Sequence, residues 1–237
     1  DFWTKEKSDV FVIAIQMGAI AAVIYEYWAR LWGAATGIFS GEPQGRRLGI
    51  GLILASIPIV LIGLTFGQTV KELLFNDIAI AIGLIVGGLI IIWIEKHPPQ
   101  ERVHEVEDLS VKDAIWIGLI QVLSLIPGTS RSGATIIGAM FLGVSRKAAT
   151  EFSFFLGIPV IIGAGLLDLY QSAHVFDGQQ DWIVLATGII VSFISALLLI
   201  RALVAYVAKR DFMIFAWYRI ASGLVILLFA FTGWKLW

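Results

Sequence analysis

The run Pro127-Gly128-Thr129-Ser130-Arg131-Ser132-Gly133-Ala134-Thr135 places an arginine, four hydroxyls and two glycines inside an otherwise lipid-like stretch. A guanidinium among apolar residues needs a counter-charge, yet between Asp113 and Glu151 the chain supplies no acidic side chain. An anion brought by a ligand is the natural local partner. Phosphate leads, because the planar fork of Arg131 can hold two of its oxygens and keeps its charge at ordinary pH. The competing reading is an arginine that bonds helix-end carbonyls or snorkels to the surface. Gly128 and Gly133 let the backbone turn and approach a ligand, and a short helix starting near 132–135 would aim free amides at an anion. Glycine is abundant here, 24 in all, and much of it serves helix packing, so this pair matters only through its company. Ser130, Ser132 and Thr135 can donate to phosphate oxygens, or instead cap a half-helix or bond the preceding turn. A serine nucleophile needs an adjacent base, and neither histidine nor carboxylate within this stretch supplies one.

Other polar residues within apolar runs carry weaker signals. Gln16 can join a buried network or bond another helix. Glu151, at the mouth of a span, can bind Arg146, a helix N-terminus or a metal ion. Arg201, Tyr218 and Arg219 stand near span ends, where interfacial anchoring accounts for them. His97, His104 and His174 fall in polar stretches without paired spacing, and the absence of cysteine removes thiolate chemistry and disulfides together. The charged segment 95–113, with Pro98-Pro99, reads as a solvated connector.

The elements that must position the motif follow from composition. With 58% hydrophobic and 15% charged residues and a mean hydropathy of +0.87 over 237 positions, this is an all-α polytopic membrane protein. A net charge of -1 offers no basic surface for nucleic acid. Apolar runs of membrane-spanning length lie at 10–31, 48–66, 78–94, 152–169, 182–207 and 214–236, giving six transmembrane helices. The two apolar pieces of 114–144 are each too short to cross, so this segment is either one broken span or a re-entrant hairpin. Loop charge decides between them. If it is re-entrant, one face holds Arg30, Arg46, Arg47, Lys96, Arg102, Lys112, Arg146, Lys147, Lys209 and Arg210, against Lys5, Lys7, Lys71 and Lys235 on the other. A single crossing would spread these fourteen charges evenly, so the re-entrant hairpin is expected, with the richly basic face in the cytoplasm.

An internal repeat agrees with that topology. At a shift of 140, Ile80-Ala81-Ile82-Gly83-Leu84-Ile85 meets Ile220-Ala221-Ser222-Gly223-Leu224-Val225; at 142, Asp9 meets Glu151 and Glu26 meets Asp168. The matched spans run in opposite directions, as in an inverted repeat, so one integral domain comprises halves at about 1–94 and 114–237 linked by 95–113. The partner of 114–144 would then fall before residue 1. We therefore expect roughly 30 to 45 further N-terminal residues holding a second hairpin and half of the site, and little activity from the 237 residues alone.

The motif and its surroundings resemble the bacterial undecaprenyl-diphosphate phosphatases associated with bacitracin resistance. The family's second signature, PGxSRSGxT, is met at every fixed position from Pro127 to Thr135, and Glu151-Phe152-Ser153-Phe154 and Ile15-Gln16-Met17-Gly18 are similar to its neighbourhood. Its first signature, a Glu-x-x-x-Glu pair followed by Ser-Ser-Thr-Gly-His, has no counterpart here. The resemblance implies hydrolysis of the terminal phosphate of a polyprenyl diphosphate lipid in the bacterial inner membrane, recycling a cell-wall lipid carrier, at a site open to the extracytoplasmic side. It implies catalytic roles for Arg131, Ser130 and Thr135, and substrate binding by Gly128, Thr129, Ser132, Gly133 and, more remotely, Gln16. It also implies a divalent cation, Mg2+ or Ca2+, whose ligands belong to the first signature. The bilayer is the expected partner, and a homo-oligomer is compatible with the sequence. A transporter or flippase for an anionic lipid or small anion is the alternative, because inverted repeats with broken helices also build transporters.

Overall fold

A computed structural model describes residues 5–172 and 178–232. His174, Lys235 and the end of the span expected at 214–236 lie outside them, as do the side chains of Asp9 and Asp168. The described residues are overwhelmingly helical: α1 (Lys5–Glu26), α2 (Trp28–Ser40), α3 (Pro43–Leu74), α4 (Asp77–Lys96), α5 (Val111–Gln121), α6 (Arg131–Phe141), α7 (Arg146–Ser172), α8 (Gln179–Val207) and α9 (Met213–Thr232). Local chemistry sets several boundaries. Gly41 ends α2 at φ 77, Glu42 accepts from the amides of Gln44 and Gly45 to cap α3, and Asn76 and Ser110 cap α4 and α5. Four helices, α3, α4, α8 and α9, are long and apolar enough to cross a membrane, and the bent pair α1/α2 would make a fifth. The span expected at 152–169 lies in α7, many of whose later side chains fall outside the described residues.

Two expectations need correction. The run 10–31 is not one straight span, because the chain bends by 83° at Tyr27 between α1 and α2. The bend lays α2 on α3 with backbones nearly touching: a Cβ on Gly37 would lie 2.7 Å from the Arg46 amide, and one on Gly49 2.6 Å from the Ala34 carbonyl. Segment 95–113 is not a free solvated connector either. Val103, Val106 and Leu109 are buried in the core, and Glu95, Glu105 and Glu107 pair with arginines or lysines of the helices around the segment.

That pairing gathers the charges at one end of the bundle. Arg30 donates from Nη2 to Glu107 at 2.6 Å and from Nη1 to Glu151 at 2.8 Å, with its guanidinium over the rings of Tyr27 and Phe155. Arg146 pairs with Glu95, whose carboxylate also accepts from the Phe212 amide ahead of α9. Arg102 donates to Asp113 at the start of α5, and through Nε to the Leu142 carbonyl just after α6. The amides of Arg102 and Val103 donate to Gly143, and Val103 forms a bridge with Val144. Both ends of the segment containing α5 and α6 are therefore tied to residues 102–103, and the two helices form a hairpin whose ends lie together.

The hairpin is wedged between α3, α4 and α7. Gly118 of α5 lies against the backbone of Ala55 on α3, so close that an added Cβ would be 2.5 Å from the Ala55 Cα. Ile117, Phe152, Phe155 and Leu156 fill the space beside it. Beyond the hairpin, α4 and α9 pack antiparallel with a reciprocal contact. A Cβ on Gly88 would meet Ile220 and the Ala216 carbonyl, and one on Gly223 would meet Ile85 and the Ala81 carbonyl.

Because backbone atoms at Ala55 cannot yield as a side chain could, Gly118→Ala should destabilise the folded protein by about 1–3 kcal/mol, read as a lowered melting temperature in detergent. At the charged end, the hydrogen bond from Arg30 holds the Glu107 carboxyl below the ordinary carboxylate range, although partial burial pulls the other way. A depressed folded pKa gives stability that is present above the unfolded pKa and lost as pH falls through the folded value. The melting-temperature advantage of the native protein over Glu107→Gln should therefore be full at neutral pH and vanish on acidification; an advantage independent of pH would contradict the pairing.

Candidate functional site

Helix α5 tightens into a 3-10 turn at Val122–Leu125, and the chain then reverses through 126–130 before α6 begins. Proline at 127 cannot donate, so the turn is held by Thr129 donating its amide to Ile126 and Ile126 donating its amide to Leu123. Gly128 sits at φ 82 against the Ile80 carbonyl of α4, a place where a Cβ would collide. The next strained residue is not glycine: Ser130 has φ 64 and ψ 121, a backbone state costing on the order of 1–3 kcal/mol. Its side chain caps α6 by accepting from the Gly133 amide at 3.3 Å, while its carbonyl accepts from Ala134. Helix α6 therefore begins at Arg131, slightly earlier than expected, and the Arg131 and Ser132 amides precede its first internal bond. The Ser132 hydroxyl lies 3.4 Å from that of Ser130.

The guanidinium of Arg131 lies across Gly157 of α7, where a Cβ would stand 2.7 Å from Nη2 and 2.9 Å from Nη1. Nη1 is buried with no hydrogen-bond partner. The side chain lines a cavity of about 280 Å³ with Ile20 and Val23 of α1, Phe154 of α7 and Leu203 of α8. Ser130, Ser132 and Gly133 line a second cavity, of about 320 Å³, which Leu203 also borders. Thr129 and Gly133 reach a third of about 190 Å³ on the hairpin's other flank. The tip thus brings the motif residues together in space, but Arg131 and the two serine hydroxyls look onto adjoining cavities.

Three expected site residues are placed elsewhere. Thr135 borders none of the three cavities: it is buried, and its hydroxyl contacts the Arg131 and Ser132 carbonyls and, at 2.7 Å, the Ser153 hydroxyl of α7. Its work is to fix the first turn of α6. Gln16 is exposed on α1 and borders none of these cavities. Glu151 is buried and bonded to Arg30, while Arg146 goes to Glu95. Among the described residues no three His, Cys, Asp or Glu side chains converge as a metal site.

Sequence reasoning missed Arg219, Gly157 and Gln121. Arg219 is not an interfacial anchor: it is buried, its Nη2 donates to the carbonyls of Gly83 (3.2 Å), Gly128 (2.8 Å) and Thr129 (3.0 Å), and its Nε has no partner. Residue 219 stands well inside α9, about 9 Å from Met213 along the axis at 1.5 Å per residue. A basic residue that deep in an apolar helix was the available signal, the same one that identified Arg131. Gln121, at the end of α5, is fully buried with both amide atoms unpartnered. Arg201, by contrast, is exposed and pairs with Glu26.

The family described as bacitracin resistance protein BacA matches residues 1–225 of the chain. Among curated proteins, undecaprenyl-diphosphatase 1 of Acinetobacter baylyi is 80% identical over 237 residues, covering 100% of this chain and 86% of its own length. The undecaprenyl-diphosphatase of Psychrobacter cryohalolentis is 57% identical over 97% of this chain and 83% of its own length. Undecaprenyl-diphosphatase 2 of Rhodospirillum rubrum is 50% identical over 100% of this chain and 86% of its own length.

Gly157 is the seat of the Arg131 guanidinium. Gly157→Ala should displace that flexible side chain by a fraction of an ångström while leaving the melting temperature nearly unchanged. The affinity for inorganic pyrophosphate, measured by titration calorimetry, should fall by about 10- to 100-fold, as expected when a positioned group is moved; unchanged affinity would show that Arg131 does not bind the anion.

Proposed function

We propose that this chain, which belongs to the bacitracin resistance protein BacA family, hydrolyses undecaprenyl diphosphate to undecaprenyl phosphate and inorganic phosphate, returning the lipid carrier to cell-wall polymer synthesis. Water adds to the terminal phosphorus, the bridging P–O bond breaks, and inorganic phosphate leaves. The observation that carries this reading is Arg131: a partly buried guanidinium whose Nη1 is buried and unpartnered, at the tip of a broken helical hairpin and beside strained, hydroxyl-bearing backbone. Such a cation is neutralised best by the anion it binds. It would hold phosphate oxygens and the charge that grows on them in the transition state. Ser130, Ser132, Thr129 and the Arg131 and Ser132 amides would orient the diphosphate, with Gly128 and Gly133 allowing close approach. Thr135 supports them from behind by holding the helix turn. No described residue beside Arg131 supplies a nucleophile and base, and we assign none.

The remaining architecture follows from the same reading. The protein crosses the bacterial plasma membrane six times, the α5–α6 hairpin being re-entrant from the basic, cytoplasmic end. Its tip packs on Gly83, about 18 Å along α4 from Glu95, more than halfway through a hydrocarbon core of about 30 Å. That depth suits a site opened to the extracytoplasmic side. The reciprocal glycine contact of α4 with α9 supports an inverted repeat. A divalent cation, Mg2+ or Ca2+, would accompany the diphosphate; the described residues do not furnish its ligand set, and no step is assigned to it.

The test is phosphate release from undecaprenyl diphosphate in detergent micelles, with and without added divalent cation. Arg131→Ala should lower kcat/KM by about 10²–10³-fold, the scale for removing one preorganised charge-stabilising group, with no comparable loss of melting temperature. Equal activity in the variant would reject the clamp. No release from the folded parent protein would favour transport of an anionic lipid.

A further inference from the structure

We propose that the cavity of about 320 Å³ between α4, α6, α8 and α9 receives the phosphate-proximal isoprene units of the lipid substrate. This inference rests on the phosphatase reading and extends it from the headgroup to the chain.

The cavity has one polar end and one apolar end. Ser130, Ser132 and Arg219 line one end of it, at the hairpin tip. From there the cavity follows α6 to Ile137 and α4 from Leu84 to Ile91, two helical turns or about 10 Å. Leu203 of α8 and Phe215 of α9 close the side. An occupant must therefore be an anion or strong acceptor at one end and a hydrocarbon at the other, joined without an intervening polar group. A polyprenyl diphosphate has this form. A glycerophospholipid places ester and glycerol oxygens at the level where Leu84, Ile136 and Ile137 offer no donor. The cavity also touches the exterior, since Phe215 is 39% and Tyr218 72% exposed, so a chain can enter sideways from the bilayer. Leu203 borders both this cavity and that of Arg131, so the two adjoin, and a diphosphate at the tip can reach from the serine hydroxyls to Arg131.

The experiment uses a farnesyl diphosphate analogue bearing a diazirine on its second isoprene unit. It is photolysed with the detergent-solubilised protein, and the labelled residues are mapped by mass spectrometry. Label is expected on α6 near Ile137 and on α9 near Phe215, suppressed by undecaprenyl diphosphate but not by phosphatidylglycerol. Ile137→Trp and Leu84→Phe should each raise KM for undecaprenyl diphosphate about tenfold with kcat retained, the scale at which an overfilled apolar pocket discriminates. Label elsewhere, or label displaced equally by phosphatidylglycerol, would overturn the assignment, and the map on the unmodified protein decides the matter if a variant fails to fold. Phosphate release by the parent with label outside the cavity would reject this inference alone; absence of release would reject the phosphatase reading, which the release assay tests separately from the map.

Discussion

Non-helical backbone inside an apolar bundle must have its carbonyls satisfied, and the guanidinium of Arg219 does this for the broken hairpin. One nitrogen accepts the task for Gly128 and Thr129 of the tip and for Gly83 of α4 at once. Without those bonds, the carbonyls of Gly83, Gly128 and Thr129 would lose the donor they share, at a cost of several kcal/mol for each group left unpaired in hydrocarbon. The contact also fixes the register of three elements, because the same arginine lies so close to Gly87 that a side chain there would collide with it. The strained Ser130 and the left-handed Gly128 persist because their surroundings are held this firmly.

The other arginines of the bundle show how placement divides labour among identical groups. Arg30, Arg102 and Arg146 each have a carboxylate and gather at one end, where they fasten the bend at Tyr27 and both ends of the hairpin. Such pairs hold a geometry more than they add net stability, since burial offsets much of the attraction. Arg219 is spent on carbonyls. Arg131 differs from Arg30, Arg102, Arg146 and Arg219 in that no hydrogen bond or ion pair to a carbonyl or carboxylate holds its guanidinium among the described residues, and its buried Nη1 is unpartnered beside a cavity. Charge left over from the fold is charge available to a ligand.

Small residues make this arrangement possible. Gly118 allows α5 to lie on the backbone of Ala55, Gly138 receives Ile120 across the hairpin, and Gly157 receives the Arg131 guanidinium. Helices in lipid gain little from hiding apolar surface, so close backbone approach and dispersion contact carry more of the packing. Glycines that look interchangeable in a list of 24 therefore have different work, and only their neighbours distinguish them.

Membrane class, helical architecture and the break in the segment 114–144 were all legible in the sequence. Each rests on local facts: run length against bilayer thickness, and residue type. Membership of the family was legible too, through the fixed positions from Pro127 to Thr135. What the tertiary structure decided was everything that depends on which residues meet across the bundle. Thr135 looked like a ligand contact until its hydroxyl was seen bonded to Ser153. Arg219 looked like an anchor until α9 was seen packed against α4 and the tip. Glu151 took Arg30, 121 positions away in sequence, instead of the adjacent Arg146, and segment 95–113 became part of the core. A side chain's type states what it can bond; only the fold states which of those bonds has already been taken.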